Sequence, residues 1–292
     1  NNLQKMGATI YKGQHQDNIK DDIDLVIYTA AVKEDNPEYI ASKAKNIKLI
    51  DRAELLGTIM KIYKYPIAVS GTHGKTTTTS IIGKILIDAK KDPTISVGGF
   101  LKVINGNFRM GNSEYIVAES CEYFDSFLKF YPHIGLILNV EYDHSDYFKN
   151  LEHIQESFNK FAKNIDKNGY LIINNNIKNF ENITKDLECN IITFGSENAD
   201  YYYKNVQFSP LGTPSFDIYH KNNFISNVNL NVVGIHNILN AMAAFIVSSI
   251  LDIPTETAIN SLETFENPNR RFQFKGELNG VKIIDDYAHH PT

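Results

Sequence analysis

Tryptophan is absent from the 292 residues, cysteine occurs twice and methionine four times. Two cysteines, Cys121 and Cys189, cannot build a disulfide framework, and their separation matches no metal-site spacing. No stretch resembles a cleaved signal peptide, so a reducing cytoplasm is the expected compartment. No apolar run approaches the roughly 20 residues that cross a bilayer. The most apolar stretch, residues 241–251, is interrupted by Ser248 and Ser249 and reads as a buried helix, so no membrane insertion is expected. Nor is there a basic excess. Lys and Arg number 29 against 34 Asp and Glu, a formal charge of −5, which argues against a nucleic-acid partner. An acidic protein can still hold phosphates if backbone N–H groups and a metal ion supply the positive field.

What the chain does have is a regular alternation of apolar runs and helical patterns, in a length that suits two or three domain cores. Residues 24–29 read as a buried strand, Asn36-Pro37 as an N-cap with proline at the first helical position, and residues 47–50 as a second strand. Asp51-Arg52-Ala53-Glu54 resembles a capping box that opens a helix through Met60. Strand alternating with helix implies a parallel, Rossmann-like sheet. From Tyr65 a longer α/β unit begins, with strands expected at 67–69, 115–118, 134–140, 170–173 and 191–194. Residues 201–233 alternate aromatic, Asn and Val residues around Lys221-Asn222-Asn223, which predicts a small antiparallel patch with a hairpin turn. A helix from about 237 to 251 follows, then a second that ends before a linker at Asn267-Pro268-Asn269. Both ends read as cut: the chain opens on Asn1-Asn2 without a methionine and stops shortly after an apolar run at 281–284.

The strongest chemical signal is Gly71-Thr72-His73-Gly74-Lys75-Thr76-Thr77, placed between a strand and a helix with an apolar face. Glycines let successive N–H groups turn toward phosphate oxygens, and the helix N-terminus adds its positive end. In such a loop Lys75 reaches the β- and γ-phosphates and the Thr76 hydroxyl ligates Mg²⁺, although the first glycine lies closer to the second than in the standard spacing. Glu119-Ser120-Cys121-Glu122 ends one strand, and Asn139-Val140-Glu141-Tyr142-Asp143-His144-Ser145-Asp146 ends another. Each alone reads as well as a solvated acidic loop; together, at one sheet edge, they point to a cation site. Asn237 and Asn240 share a face at a helix start, suited either to the edge of an adenine or to capping. Arg270-Arg271-Phe272 and Asp285-Asp286-Tyr287-Ala288-His289-His290 follow, and an arginine beside a nucleotide can neutralise a transferring phosphoryl group.

Taken in order, these motifs resemble those of the Mur ligases, and the resemblance covers essentially the whole chain, including Tyr28-Thr29-Ala30-Ala31 and Asp35-Asn36-Pro37-Glu38. The resemblance implies an α/β protein of three domains. These would be an N-terminally truncated Rossmann-like UDP-sugar domain over 1–64, and a central P-loop ATPase domain over 65–270, whose mostly parallel sheet carries the antiparallel patch. Residues 271–292 would start a Rossmann-like C-terminal domain for the amino acid. It implies ATP and Mg²⁺ as cofactors, with Lys75 and the loop residues Gly71, Thr72, His73, Gly74, Thr76 and Thr77 on the phosphates. Thr76, Glu119 and His144 would hold the metal. His236, Asn237 and Asn240 would lie at the adenine, Arg271 at the γ-phosphate and Asp286 at the ribose. A carbamoylated lysine found in many relatives has no convincing counterpart in Ser157-Phe158-Asn159-Lys160-Phe161.

The reaction implied joins L-alanine to the lactyl carboxylate of UDP-N-acetylmuramate through an acyl phosphate, in peptidoglycan precursor synthesis. A relative that recycles murein tripeptide and, further off, a folylpolyglutamate synthetase stay open as alternatives. From other classes, so do a P-loop nucleotide switch or transport ATPase and a binding module without catalysis. The absence of an Asn/Thr-Lys-x-Asp guanine signature weighs against a GTPase switch, and intact Lys75, Glu119 and His144 weigh against a dead module.

Overall fold

The computed structural model describes residues 2–268, 272–278 and 280–286, and the chain divides into two units, Asn1–Ile59 and Met60–Thr292. In the first unit, α1 (Asn2–Lys5) precedes β1 (Leu25–Tyr28), α2 (Pro37–Ala44), β2 (Lys48–Asp51) and α3 (Arg52–Met60). β1 and β2 pair in parallel, with Leu25 opposite Lys48. The expected caps are present. Asn36 Oδ1 accepts from the N–H groups of Glu38 and Tyr39, with Pro37 at the first helical position. Asp51 Oδ1 accepts from Glu54 N at 2.8 Å, which is the first half of a capping box.

The second unit is built on β3 (Tyr65–Ser70), α4 (Lys75–Asp88), β4 (Thr94–Leu101), β5 (Gly106–Arg109), β6 (Tyr115–Glu119) and β7 (Ile134–Ile137). It continues through α5 (Leu151–Lys163), β8 (Tyr170–Asn174), α6 (Glu181–Thr184), β9 (Asn190–Gly195), β10 (Tyr201–Phe208), β11 (Pro214–His220) and β12 (Asn223–Asn229). Two helices follow, α7 (His236–Ile250) and α8 (Thr255–Glu263), and a hairpin of β13 (Gln273–Leu278) and β14 (Val281–Asp285). One ten-stranded sheet runs β12-β11-β10-β9-β8-β7-β3-β6-β4-β5. From β4 to β10 its neighbours are parallel; β5 and β11 run against them, and β12, antiparallel to β11, runs with them again. The antiparallel patch thus continues the parallel sheet. Its β11–β12 turn passes through Lys221 and Asn222, both with positive φ (46° and 68°), as a two-residue hairpin loop requires.

Strands β4 and β5 escape the sequence pattern. Gly98-Gly99 breaks the β-forming run inside β4, and β5 presents Asn107 and Phe108 to solvent, so neither shows clean alternation. In the parallel part, buried strands read instead as continuous apolar runs such as Ile67, Ala68 and Val69, because both faces are covered. Ile67, Val69, Leu136 and Ile172 belong to one core with Ile81, Ile85, Ile238 and Leu262 of α4, α7 and α8. On the other face, a Cβ at Gly135 would press on Ile165 and Phe161, so α5 packs there over Phe127, which stacks on Phe161 at 5.0 Å. Among the described residues no helix is long and apolar enough to cross a membrane.

Phe158 lies fully buried beneath this second layer, edge-on to Phe127 at 5.1 Å. Phe158→Ala is expected to cost about 3–5 kcal/mol through lost burial and the cavity left behind. The loss reads as a lower midpoint in urea unfolding followed by circular dichroism, and a cost under about 1 kcal/mol would mean that this face carries little of the stability.

Candidate functional site

Strand β3 lies between β6 and β7, where the chain's strand order reverses, and its C-terminal end is therefore the mouth of the sheet's crevice. Ser70 closes the strand by donating its hydroxyl to Leu136 O at 2.6 Å. The chain then turns through Gly71 and Gly74, with φ of 136° and 80°, values that L side chains rarely adopt. Close approach forbids a side chain there as well. A Cβ at position 71 would lie 3.1 Å from Asn139 O, and one at position 74 would collide with the Asn240 carboxamide oxygen.

Asn139 holds the loop from the end of β7. Its carboxamide oxygen accepts from His73 N at 2.7 Å, its amide donates to His73 O at 3.1 Å, and its own carbonyl accepts from Thr72 N at 3.2 Å. Glu141 N adds a bond to Thr72 Oγ1 at 2.9 Å. The loop is thus set before any ligand arrives. It delivers the first turn of α4, from Lys75 onward, whose N–H groups have no partners within the helix. Asn139 stands in a motif singled out from the sequence for its acids and histidine, and nothing in the pattern marks it as the clamp.

Lys75 is directed by a second group that spacing does not single out. Its ammonium donates to Gly71 O, to Thr72 O at 3.2 Å, and to both oxygens of Glu122 at 2.9 and 3.2 Å. His144 Nε2 lies 3.7 Å from the same carboxylate, with its ring stacked on Tyr123. Burial pushes the Glu122 carboxyl up, but His144 and Lys75 outweigh it and hold the group below its ordinary value. The Glu122 carboxylate in turn raises the His144 imidazole, against the effect of partial burial. Burial also raises the Cys121 thiol, which disfavours the reactive thiolate.

Glu119 and Thr76 meet the same pair of glycines. Gly98 N donates to Glu119 Oε1 at 2.7 Å, and a Cβ at Gly99 would lie 3.1 Å from the Thr76 methyl. Carboxylate and hydroxyl oxygens are hard donors that suit Mg²⁺, to which the His144 nitrogen is a weaker match. Among the described residues, no group of three or more His, Cys, Asp and Glu is gathered to hold a metal. That sparse set fits Mg²⁺, which usually takes one or two protein groups and fills its octahedron with phosphate oxygens and water.

Beside the loop opens a cleft of about 700 Å³. It is lined by Thr72, His73, Gly74, Lys75, Thr76 and Thr77, by Asn139 and Glu141, and by Asn174 and Lys178 after β8. His236, Asn237 and Asn240 at the start of α7, with Phe272 and Asp286, complete the wall. The expected phosphate and adenine residues are therefore brought together, with Gly71 at the loop's base; Glu119 and His144 lie outside this lining, and Arg271 lies outside the described residues. Asn237 and Asn240 are buried and bonded inward. Asn240 Nδ2 donates to Asn237 Oδ1 at 3.0 Å, Asn237 Nδ2 to Val233 O at 2.9 Å, and Thr78 Oγ1 to Asn240 Oδ1 at 3.2 Å. This relay ties α7 to α4. Asn237 does not cap α7, whose N-cap is Ile235.

Residues 69–248 match the Mur ligase middle domain, and residues 1–64 match the Mur ligase family, catalytic domain. Over 290 residues the chain is 51% identical to the UDP-N-acetylmuramate–L-alanine ligase of Clostridium novyi (strain NT), covering 99% of this chain and 63% of that protein. The crystal structure of UDP-N-acetylmuramate-alanine ligase from Thermotoga maritima superposes with a TM-score of 0.85 at 29% identity, covering 99% of this chain and 66% of that one. A murein peptide ligase from Psychrobacter arcticus superposes with a TM-score of 0.81 at 25% identity, covering 99% and 65%. The chain spans slightly under two thirds of the length of the curated relatives it matches. A glycine loop at the switch point, a lysine at the head of its helix and these matches agree: the chain belongs to the Mur ligase family.

Proposed function

We propose that this chain carries the nucleotide-binding machinery of an ATP-dependent ligase that joins L-alanine to the lactyl carboxylate of UDP-N-acetylmuramate. The observation that carries the proposal is the clamped loop Gly71–Thr77 opening onto a nucleotide-sized cleft, with Lys75 at the head of α4. The 51% identity to a ligase of that name supports the choice of substrates. On this reading residues 1–64 hold the UDP-sugar, 65–270 form the ATPase, and 271–292 start the amino-acid domain. ATP and the UDP-sugar are both solutes of the cytoplasm, where the protein would act.

The same reading assigns each site residue a role. N–H groups at the start of α4 and the Lys75 ammonium cradle the β- and γ-phosphates, so Lys75 exchanges a loop carbonyl for phosphate oxygen. Thr76, Glu119 and His144 would hold Mg²⁺, which when bound would supply charge neutralisation at the transferring phosphoryl group. Asn237 and Asn240 shape the adenine end through their relay, with His236 and Asp286 on the cleft wall, Asp286 for the ribose. Arg271, outside the described residues, is assigned to the γ-phosphate by the family resemblance alone. The lactyl carboxylate oxygen attacks the γ-phosphorus, giving an acyl phosphate and ADP. The alanine amine then attacks the carbonyl carbon, loses a proton, and inorganic phosphate leaves with the C–O bonding pair. The protein's part is to align the reactants and to exclude water that would hydrolyse the acyl phosphate.

The direct test is phosphate release by the natural gene product that contains this sequence, with UDP-N-acetylmuramate and a panel of amino acids and murein tripeptide. Release dependent on alanine is expected, and EDTA should abolish it. Preference for tripeptide would make the protein a recycling ligase, and release without any acceptor would make it a switch or transport ATPase.

Lys75→Ala should leave circular dichroism unchanged and reduce turnover below about a tenth of wild type, since a charge-assisted bond contributes about 1.5–3 kcal/mol. Activity above that level would remove Lys75 from the phosphates. Asn139→Ala takes away both side-chain bonds to His73 and should weaken Mg·ADP binding about tenfold, measured by titration calorimetry. Wild-type affinity in that variant would show that the loop needs no clamp.

A further inference from the structure

Glu122 is the one acidic side chain classed as buried among the described residues, with its side chain 3% exposed. A carboxylate leaves water at high cost unless cations answer it. One does so directly, the Lys75 ammonium at 2.9 and 3.2 Å, and the His144 Nε2 faces the same carboxylate at 3.7 Å. Lys75 and His144 sit on different elements, at the head of α4 and in the loop after β7, and Glu122 lies between them after β6.

Resting on the nucleotide-site reading above, we propose that Glu122 is a positioning residue that couples Lys75 to His144, so that one buried carboxylate sets both the phosphate-holding ammonium and the cation-binding imidazole. With Nε2 facing Glu122, a neutral imidazole keeps its proton there and leaves the Nδ1 lone pair for a metal. Asp143 Oδ2, at 4.0 Å from Nε2, draws the proton the same way from a greater distance. Tyr123 stacks on the ring at 4.3 Å and fixes its plane, and the His144 backbone is held at φ 53° with its N–H on Asp143 Oδ1. Both oxygens of Glu122 accept from the Lys75 ammonium, and Oε1 also faces His144 Nε2.

A purely structural ion pair would affect stability and leave the cation dependence and the imidazole tautomer alone. The test compares wild-type natural gene product with Glu122→Gln, which keeps volume and removes charge, and Glu122→Asp, which keeps charge and shortens reach. Three quantities are read: the Mg²⁺ concentration that half-saturates ADP binding by calorimetry, the His144 tautomer by ¹⁵N NMR of metal-free protein at mildly alkaline pH, and thermal stability. The His144 signal is assigned by its loss in His144→Gln. Glu122→Gln should raise the Mg²⁺ requirement about 10–100-fold and release the preference for the Nε2–H tautomer, while Glu122→Asp recovers part of both. If Glu122→Gln fails to fold, the same readouts in Glu122→Asp decide, with a smaller shift in each expected.

Wild-type Mg²⁺ dependence and tautomer in a folded variant would overturn the proposal, whatever its melting temperature. Complete loss of Mg²⁺ binding would also overturn it, by making Glu122 a ligand. Wild-type protein that fails to bind Mg·ADP would refute the nucleotide-site reading before any variant is compared. Wild-type protein that binds Mg·ADP without joining alanine would refute only the choice of substrate, and the coupling would still be decided by the binding and NMR measurements.

Discussion

The turn from β3 into α4 governs the rest of this site. Its two glycines adopt φ values that other residues avoid, and each sits where a Cβ would strike a neighbour, Asn139 in one case and Asn240 in the other. Those neighbours belong to β7's end and to α7, so the loop's shape is specified jointly by three elements that are distant in sequence. Reversing the strand order at β3 is what opens a crevice there, and the clamp by Asn139 is what keeps the crevice's floor from collapsing when empty. Preorganisation of this kind matters for phosphates, because a loop that must first order itself gives up binding energy to do so.

Much of the fold was legible because both kinds of strand carry their own signature. Parallel strands covered on two faces read as unbroken apolar runs, and the outer β10–β12 ribbon alternates and turns at Lys221-Asn222. Strands β4 and β5 were not legible, since Gly98-Gly99 erases the β-forming pattern for a reason that lies elsewhere: Glu119 and Thr76 need the space. Of the candidate site, the glycine loop between β3 and α4 was legible because its residues are contiguous. The roles of Asn139 and Glu122 were not, because a clamp and a counter-charge are defined by partners some 47 to 66 positions away, which no local spacing encodes.

The asparagines of α7 line the cleft yet turn their polar atoms inward. At a helix start two carboxamides on one face suggest a surface for a base, yet here each spends its polar atoms inside the protein, on Val233, Thr78 and one another. Such a relay is worth having because a buried carboxamide left unpaired costs more than the net value of its bonds. Its effect at the cleft is indirect: it fixes α7 against α4, and so fixes the distance between the α7 wall of the cleft and the glycine loop.

The same logic explains why the lysine at the head of α4 should lie beside a buried carboxylate at all. An ammonium with its side chain only 17% exposed would otherwise be a half-desolvated charge without an answer. Glu122 stabilises it, and on the proposed reading the three donors of the ammonium let it keep that partner while a loop carbonyl yields to phosphate. The carboxylate then does not compete with the nucleotide; it spares the protein from rearranging a charge when the nucleotide arrives. With His144 against the same carboxylate, any shift of Glu122 would be felt at both Lys75 and His144.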